Sequence, residues 1–409
     1  MDKRIKRDVK MMKYFAVLIF INSIEAKAIT FEDGIKALQS HESVDSMKFK
    51  SKALSEEAEL KGSWGDPMFK VAAKNFPQDS LKNNETPMTG IEFGVSQKIA
   101  LTTKYGNIED AFKSLSNAYQ FEADDKKEAL TKAFWEMLIL KRKVSEELEI
   151  LKENNAWISR ILKVSKRLYS TGKISQQALL DIQIRKSEIE SEVNNKKYEL
   201  SQIGDRLKYL IGTSDVEEAS IPWKSLKTNS DKLKDNKELS LKEKLKAKDL
   251  ALTASKQNYV PDLTVSLGYT KRSNIDGNGD FVGAAISFPL PFSGEKYSKH
   301  GQAVQEKYMA VKNVENYKRQ KNRDISVLRK EIDKLLGELS ILKEKTIKFA
   351  RNSREITAKS YGLGNSTYVE LLQSELKLQK ILMLKVMLEA KRDIKRATLK
   401  YVKGESLNE

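Results

Sequence analysis

The chain carries two hydrophobic patterns, one with a period of two residues and one with a period near 3.5 residues. In four short segments apolar residues occupy every second position and small or polar residues lie between them. Ile91, Phe93 and Val95 follow this rule in one segment, and Val265 and Leu267 follow it in another. Because side chains of a strand point alternately to opposite faces, a period of two with one apolar face predicts β-strands.

Polar, turn-rich connections join these strands in pairs. The sequence therefore predicts one β-hairpin at about 67–99 and a second at about 260–289. Each strand has about 8–10 residues, the length that a tilted strand needs to cross a bilayer. Four strands cannot close a membrane barrel alone, because the smallest such barrels have about eight. If the hairpins lie in a membrane, several chains must share one barrel. The alternative is that both hairpins pack within a soluble α+β domain.

Most of the remaining chain is predicted to be helical. No proline lies between residues 88 and 221 or after residue 291, so two long windows are free of helix breakers. A helix over residues 101–168 would be roughly 100 Å long, which indicates a coiled coil or a helical tube. Apolar residues recur in this window and beyond it at steps of four and three, as in helices packed side by side, with Asn155, Lys186 and Lys196 at three of these positions. They include Val144, Leu148, Leu151, Ile158 and Leu162, then Leu179, Ile182, Ile189, Val193, Leu200, Ile203, Leu207 and Leu210.

An internal repeat at an offset of 192 residues divides the chain into two similar halves. The matched positions are Tyr169 and Tyr361, Gly172 and Gly364, Leu179-Leu180 and Leu371-Leu372, Leu207-Lys208-Tyr209 and Leu399-Lys400-Tyr401, and Gly212 and Gly404. Glycine in each Tyr-x-x-Gly motif supplies the backbone freedom for a tight reversal between helices. We expect these turns at about 169–175 and 361–367, both at the end remote from the hairpins.

The repeat also sets the predicted boundaries. The first repeat unit spans 29–212 and the second spans 241–404. A polar link over 213–240 joins them, and residues 405–409 form a tail.

The first 28 residues are predicted to be a secretory signal peptide. Residues 1–13 are basic, residues 14–24 are mainly apolar, and a small-x-small motif ends at Ala28, where we expect cleavage. The apolar run is too short for a membrane-spanning helix, which needs roughly 20 residues. Met11 or Met12 could be the true start and would give a shorter leader. The mature protein is therefore expected to leave the cytoplasm.

Composition argues against enzyme chemistry. The chain has no cysteine, and its two histidines, His41 and His300, are far apart and expected at the surface. A histidine-based metal site or a catalytic triad is thus nearly excluded. The formal net charge is +17, but lysines interleave with glutamates as on solvated helix faces, which argues against a nucleic-acid site. We predict no catalytic residue, no cofactor, no resident metal and no nucleic-acid partner.

The combination of paired hairpins, two Tyr-x-x-Gly turns and a full-length repeat resembles the outer-membrane efflux proteins of the TolC-like family. The resemblance implies a mainly α fold with membrane β-strands. It also implies a homotrimer in outer-membrane lipid, with a 12-stranded barrel continuous with an α-helical periplasmic tunnel. The chain would be the passive exit duct of a tripartite system. Its implied partners are a periplasmic adaptor (membrane fusion) protein and an inner-membrane pump of the RND type.

Residues around the first hairpin resemble the CzcC- and CusC-like heavy-metal branch of that family. They are Asp66-Pro67-Met68, Asn75-x-Pro77 and Ser96-Gln97. The Pro-Gly-Lys that usually follows the second strand of that branch is replaced by Ala100-Leu101-Thr102-Thr103-Lys104. Heavy-metal cations are the cargo that this resemblance favours, with drugs or a type I secreted polypeptide as alternatives. A secreted coiled-coil scaffold is the alternative of a different class.

The resemblance also implies site residues. The tunnel tip that docks the adaptor would contain Tyr169, Gly172, Leu179, Leu180, Tyr361, Gly364, Leu371 and Leu372. The gate and lumen would contain Glu370, Gln373 and Asp181, and three copies of Glu370 would form a carboxylate ring that favours cations. Ser366 and Ala178 replace an arginine and its acidic partner that latch the gate in this family, so we expect that latch to be absent.

Overall fold

A computed structural model describes residues 28–227, 233–290, 292 and 294–408. The predicted signal peptide lies outside the described residues except for Ala28. Within these ranges, no helix has both the length and the apolar character that crossing a membrane requires.

The first repeat unit contains two helices, a hairpin and two further helices of which the first is very long. These elements are α1 (Phe31–Gln39), α2 (Glu42–Gly62), β1 (Met68–Lys74), β2 (Gly90–Ile99), α3 (Lys104–Ser170) and α4 (Gln176–Ile211). Helix α3 runs for 67 residues without a break, which corresponds to roughly 100 Å. The predicted long helix is thus confirmed, and proline-free sequence is what permits it.

The second repeat unit has the same order of elements with one helix fewer at its start. They are α5 (Asn236–Gln257), β3 (Leu263–Arg272), β4 (Phe281–Ser287), α6 (Glu295–Ile341), α7 (Ile347–Leu363) and α8 (Tyr368–Lys403). One wide π-helical turn, Leu342–Thr346, joins α6 to α7. Helix α3 has no counterpart of this turn. Helix α5 begins earlier than the predicted end of the link at 240, because the side chain of Asp235 caps it by accepting from the Glu238 amide.

The two hairpins share one antiparallel sheet in the order β1-β2-β3-β4. Pairing of β2 with β3 joins them in register, from Gly90 opposite Arg272 to Ile99 opposite Leu263. The inner strands have 10 residues, as predicted, whereas β1 and β4 have only 7. In the single chain β1 and β4 are the edges of the sheet.

The largest core cluster combines residues of α1, α3, α4 and α8, and it is separate from the two Tyr-x-x-Gly turns. Phe31, Phe134 and Trp135 are buried there, and the Trp135 indole Nε1 donates to the Leu407 carbonyl at 2.9 Å. Leu407 is only 2% exposed. The segment predicted as a tail is therefore part of this core, because its backbone carbonyl satisfies the buried indole N–H.

Backbone angles confirm the repeat at its two pairs of matched glycines. Gly172 and Gly364 have φ values of 70° and 82°, and Gly212 and Gly404 both have φ of 79°. These left-handed conformations end helices at little cost only for glycine. The expectation for His41 was wrong, because its ring is buried and its Nδ1 accepts from the Ser43 amide at the start of α2.

Candidate functional site: the helical tip and the sheet

Both Tyr-x-x-Gly turns lie at the same end of the helices. A core cluster there combines buried residues from α3, α4, α7 and α8. The hydroxyl of Tyr361 is 2.9 Å from Oγ of Ser165, so a buried hydrogen bond joins α7 to α3. The structure therefore brings together the residues predicted for the tip. Each glycine turn reverses the chain, so that the following helix packs against the preceding one.

The matched tip residues differ in exposure between the two repeats. Tyr169 is 43% exposed, whereas its match Tyr361 is 1% exposed. Leu180 is 43% exposed and its match Leu372 is half-buried. Leu371 is 0% exposed and its match Leu179 is half-buried. Tyr361 and Leu371 therefore lie in the core of the tip. Tyr169, Leu180 and the turn glycines Gly172 and Gly364 lie at its surface.

Glu370 lies exposed in the first turn of α8, where it forms a capping box with Thr367. Its carboxylate accepts from the Ser366 hydroxyl at 2.6 Å and from the Thr367 amide at 2.9 Å. These hydrogen bonds, the Ser366 bond foremost, lower the pKa of Glu370, since they favour its charged form. The carboxylate is thus held close to the turn and stays ionised, and its place in a gate remains a prediction.

Asp181 and Gln373 flank this turn. Asp181 is half-buried on α4, and its carboxylate accepts from the side-chain Nε2 of Gln177 at 2.9 Å. The Tyr368 hydroxyl also bonds to Asp181, which raises the pKa of Tyr368. Gln373 is exposed on α8. The Tyr368 contact links α8 to α4 beside Glu370, a link that the sequence did not predict.

The sequence interpretation missed a buried charged cluster on the seam above the tip. The Arg185 side chain on α4 is 7% exposed and the Glu375 side chain on α8 is 0% exposed, with Arg185 Nε 3.5 Å from Glu375 Oε2. Arg185 also contacts Glu188 at 3.1 Å, Glu192 at 3.2 Å and the side chain of Gln379. Burial raises the pKa of Glu375, although the nearby guanidinium opposes this rise.

A signal for this cluster was present in the apolar spacing. Arg185 lies three residues after Ile182 and four before Ile189, both fully buried. Glu375 likewise lies four residues after Leu371 and three before Leu378. A charged residue at a seam position of each helix indicates a buried pair, because an unpaired charge there would be costly.

The sheet has two chemically different faces. One face is apolar across all four strands and is exposed in the single chain. Its members include Phe69, Val71, Ile91, Phe93, Val95, Leu267, Tyr269, Val282 and Ile286, which are 41–81% exposed. The opposite face is mainly polar or small, apart from Met68 and Phe281 at the ends of the outer strands. It carries Lys70, Lys74, Glu92, Gly94, Ser96, Ser266, Gly268, Thr270, Gly283 and Ala285.

Comparison with solved structures gives matches over nearly the whole chain. A structure of CusC described as forming a transmembrane channel has a TM-score of 0.76 at 14% identity, covering 93% of this chain and 94% of that chain. The CmeC outer-membrane channel of Campylobacter jejuni has a TM-score of 0.72 at 15% identity, covering 92% and 86%. The open MtrE outer-membrane channel of Neisseria gonorrhoeae has a TM-score of 0.71 at 13% identity, covering 92% and 89%.

No protein-family model and no curated protein sequence matches the chain. The chain therefore has the fold of the outer-membrane channels, which confirms the predicted fold class of its protomer. At these identities the comparison shows the fold alone.

Proposed function

We propose that this chain is one protomer of a homotrimeric outer-membrane channel, the passive exit duct of a tripartite efflux system. The observation that carries the proposal is the four-stranded sheet with one exposed apolar face and two free edges. The fold that this chain shares with CusC, CmeC and MtrE supports it.

The two faces of the sheet suit a shared barrel. An outward apolar face and an inward polar face are the pattern of a membrane barrel strand. The backbone groups along the outer edges of β1 and β4 need partners in lipid, and β4 of one protomer can pair with β1 of the next. Three copies would then close a barrel of twelve strands, while the long helices extend it into the periplasm.

The exposed part of the tip is the proposed docking surface for a periplasmic adaptor protein, which would connect the duct to an inner-membrane RND-type pump. Tyr169, Leu180 and the two turn glycines supply an apolar, open surface there. Tyr361 and Leu371 would support that surface from beneath without touching the adaptor.

Heavy-metal cations are the proposed cargo, and Glu370 is the residue that would favour them at the tip. Its carboxylate is exposed and ionised, so three copies would place negative charge around the narrow end. A deletion strain with normal metal tolerance but increased sensitivity to dyes, or with loss of a secreted protein, would reject this cargo in favour of drugs or a polypeptide.

A pair of neighbouring alanines in β4 provides a matched test of the membrane sheet. Ala284 lies opposite Leu267 on the apolar face and Ala285 lies opposite Ser266 on the polar face, and both are exposed. A lysine on the lipid side of a barrel costs about 2–4 kcal/mol near the midplane. We expect Ala284→Lys to reduce the trimer in the outer membrane, while Ala285→Lys retains it.

The readout is the native mass and heat-modifiability of detergent-extracted outer membranes, followed by conductance in planar bilayers. A species of three mature chains found only in the outer-membrane fraction supports the proposal. A monomer in the soluble fraction, with both lysine variants tolerated equally, would reject it in favour of a coiled-coil scaffold.

A further inference from the structure

Three glycines line up across the polar face of the sheet. Gly94 of β2 is opposite Gly268 of β3, which is opposite Gly283 of β4, and the same row begins at Lys70 of β1. Glycine in a strand interior marks a bend or a place that something approaches closely. The row leaves a groove of about 350 Å³ on this face.

The groove is occupied at one end by the side chain of Glu92. A Cβ atom at Gly268 would lie 3.1 Å from Oε1 of Glu92, so the missing side chain is what lets this carboxylate lie across β3. Two lysines of β1 reach the same carboxylate. Lys70 Nζ is 3.7 Å from Glu92 Oε2, and Lys74 is in direct contact with it.

The charges in this cluster do not balance. The Glu92 side chain is 16% exposed, whereas the Lys70 and Lys74 side chains are 61% and 45% exposed. One sheltered carboxylate therefore faces two lysines whose ammonium groups extend into solvent. Each protomer is left with one excess positive charge at this level of the sheet.

Two other basic residues lie on the polar face of the strands. Lys98 is 3.0 Å from Asp262, but Asp262 also pairs with Lys104 at 2.8 Å, and the Lys98 side chain is 48% exposed. Arg272 is 2.6 Å from Asp276 and its side chain is only 1% exposed. Arg272 adds no open positive charge, whereas Lys98 adds one at the helical end of β2. At the level of Glu92 the excess charge belongs to Lys70 and Lys74.

We propose that Lys70 and Lys74 form a basic ring inside the barrel that favours anionic solutes, such as molecules bearing carboxylate or phosphate groups. This inference rests on the proposed trimeric channel, in which the polar face lines the lumen. Rings of lysine or arginine are a recurrent device for anion selectivity in pores. The ring lies at the opposite end of the duct from the Glu370 carboxylates, so the tip favours cations while the barrel favours anions.

The test is the reversal potential of the purified trimer in planar bilayers under a potassium chloride gradient. All variants also carry Glu370→Gln, so that the tip carboxylates do not determine the sign of the reversal potential. Lys70→Gln with Lys74→Gln should lower the chloride-to-potassium permeability ratio by about two- to tenfold, and Glu92→Gln should raise it. Lys271→Gln is the matched control, because Lys271 is exposed in the same sheet and lies on the opposite face, beside Ile91.

The effect should be present near 0.1 M salt, where charges act over about 10 Å, and should shrink near 1 M, where they act over about 3 Å. Equal ratios for the double lysine variant and the Lys271 control would overturn the basic ring. Absence of any conductance from the properly purified parent protein would instead overturn the proposed channel itself.

Discussion

Replacement of Arg185 by methionine should loosen the tip more than any exposed charge substitution nearby. Glu375 is completely buried, its Oε1 atom has no hydrogen-bond partner, and Arg185 is the cation beside its Oε2. Removing one partner of a buried ion pair costs about 3–5 kcal/mol, because the other charge is stranded. Loss of the Glu188 and Glu192 contacts adds little, since their side chains are 57% and 41% exposed.

We expect a result near the lower end of this range, because burial already raises the pKa of Glu375 and protonation relieves a stranded carboxylate. A loss of about 3 kcal/mol corresponds to roughly a hundredfold in a local opening equilibrium. Hydrogen–deuterium exchange of the amides of α4 and α8 around the cluster measures that opening directly. The double variant Arg185→Met/Glu375→Leu should recover most of the loss, because neither charge then remains buried.

Lys186→Met is the control, because Lys186 pairs with Glu190 at the surface, where the two side chains are 33% and 52% exposed. Its effect should stay within about 0.5 kcal/mol. The reasoning is refuted if exchange in the Arg185→Met variant rises less than tenfold, or if the double variant opens as readily as the single one.

Three further substitutions test other parts of the fold. Gly404→Ala should lower the melting temperature far more than Gly172→Ala. Both glycines have positive φ, which costs alanine about 1–2 kcal/mol. Only at Gly404 would the new Cβ lie 2.8 Å from the Lys234 carbonyl group. Equal losses of melting temperature in the two variants would contradict this prediction. Glu128→Gln should stabilise the protein at neutral pH. Burial raises the pKa of Glu128 above 4.5, so the destabilising effect of its charge is present above the raised pKa and disappears as pH falls towards 4.5. Denaturation at several pH values checks this, and a variant with an unchanged pH profile would argue against it. Tyr361→Phe should lower the stability of the tip by about 1 kcal/mol, because it removes a buried hydrogen bond. Amide exchange at the tip measures this loss, and an exchange rate equal to that of the wild type would show that the hydroxyl contributes nothing.

The sequence by itself determined the elements and their order. Proline-free windows with steps of four and three specified the long helices, and strict alternation specified four strands. The repeat alone matched Gly172 with Gly364 and Gly212 with Gly404. All four have positive φ, a conformation that only glycine adopts at little cost. These are local rules, and periodicity and backbone sterics are enough to apply them.

Tertiary structure decided how the elements combine. Pairing of β2 with β3 made one sheet of two hairpins and aligned three glycines that are 174 and 15 residues apart in the chain. Packing of the helices at the tip buried Tyr361 and left its repeat partner Tyr169 exposed, although the two tyrosines belong to the same motif. It also placed Arg185 against Glu375, 190 residues away. Local sequence cannot specify such contacts, because burial and charge pairing depend on which distant helix or strand lies alongside.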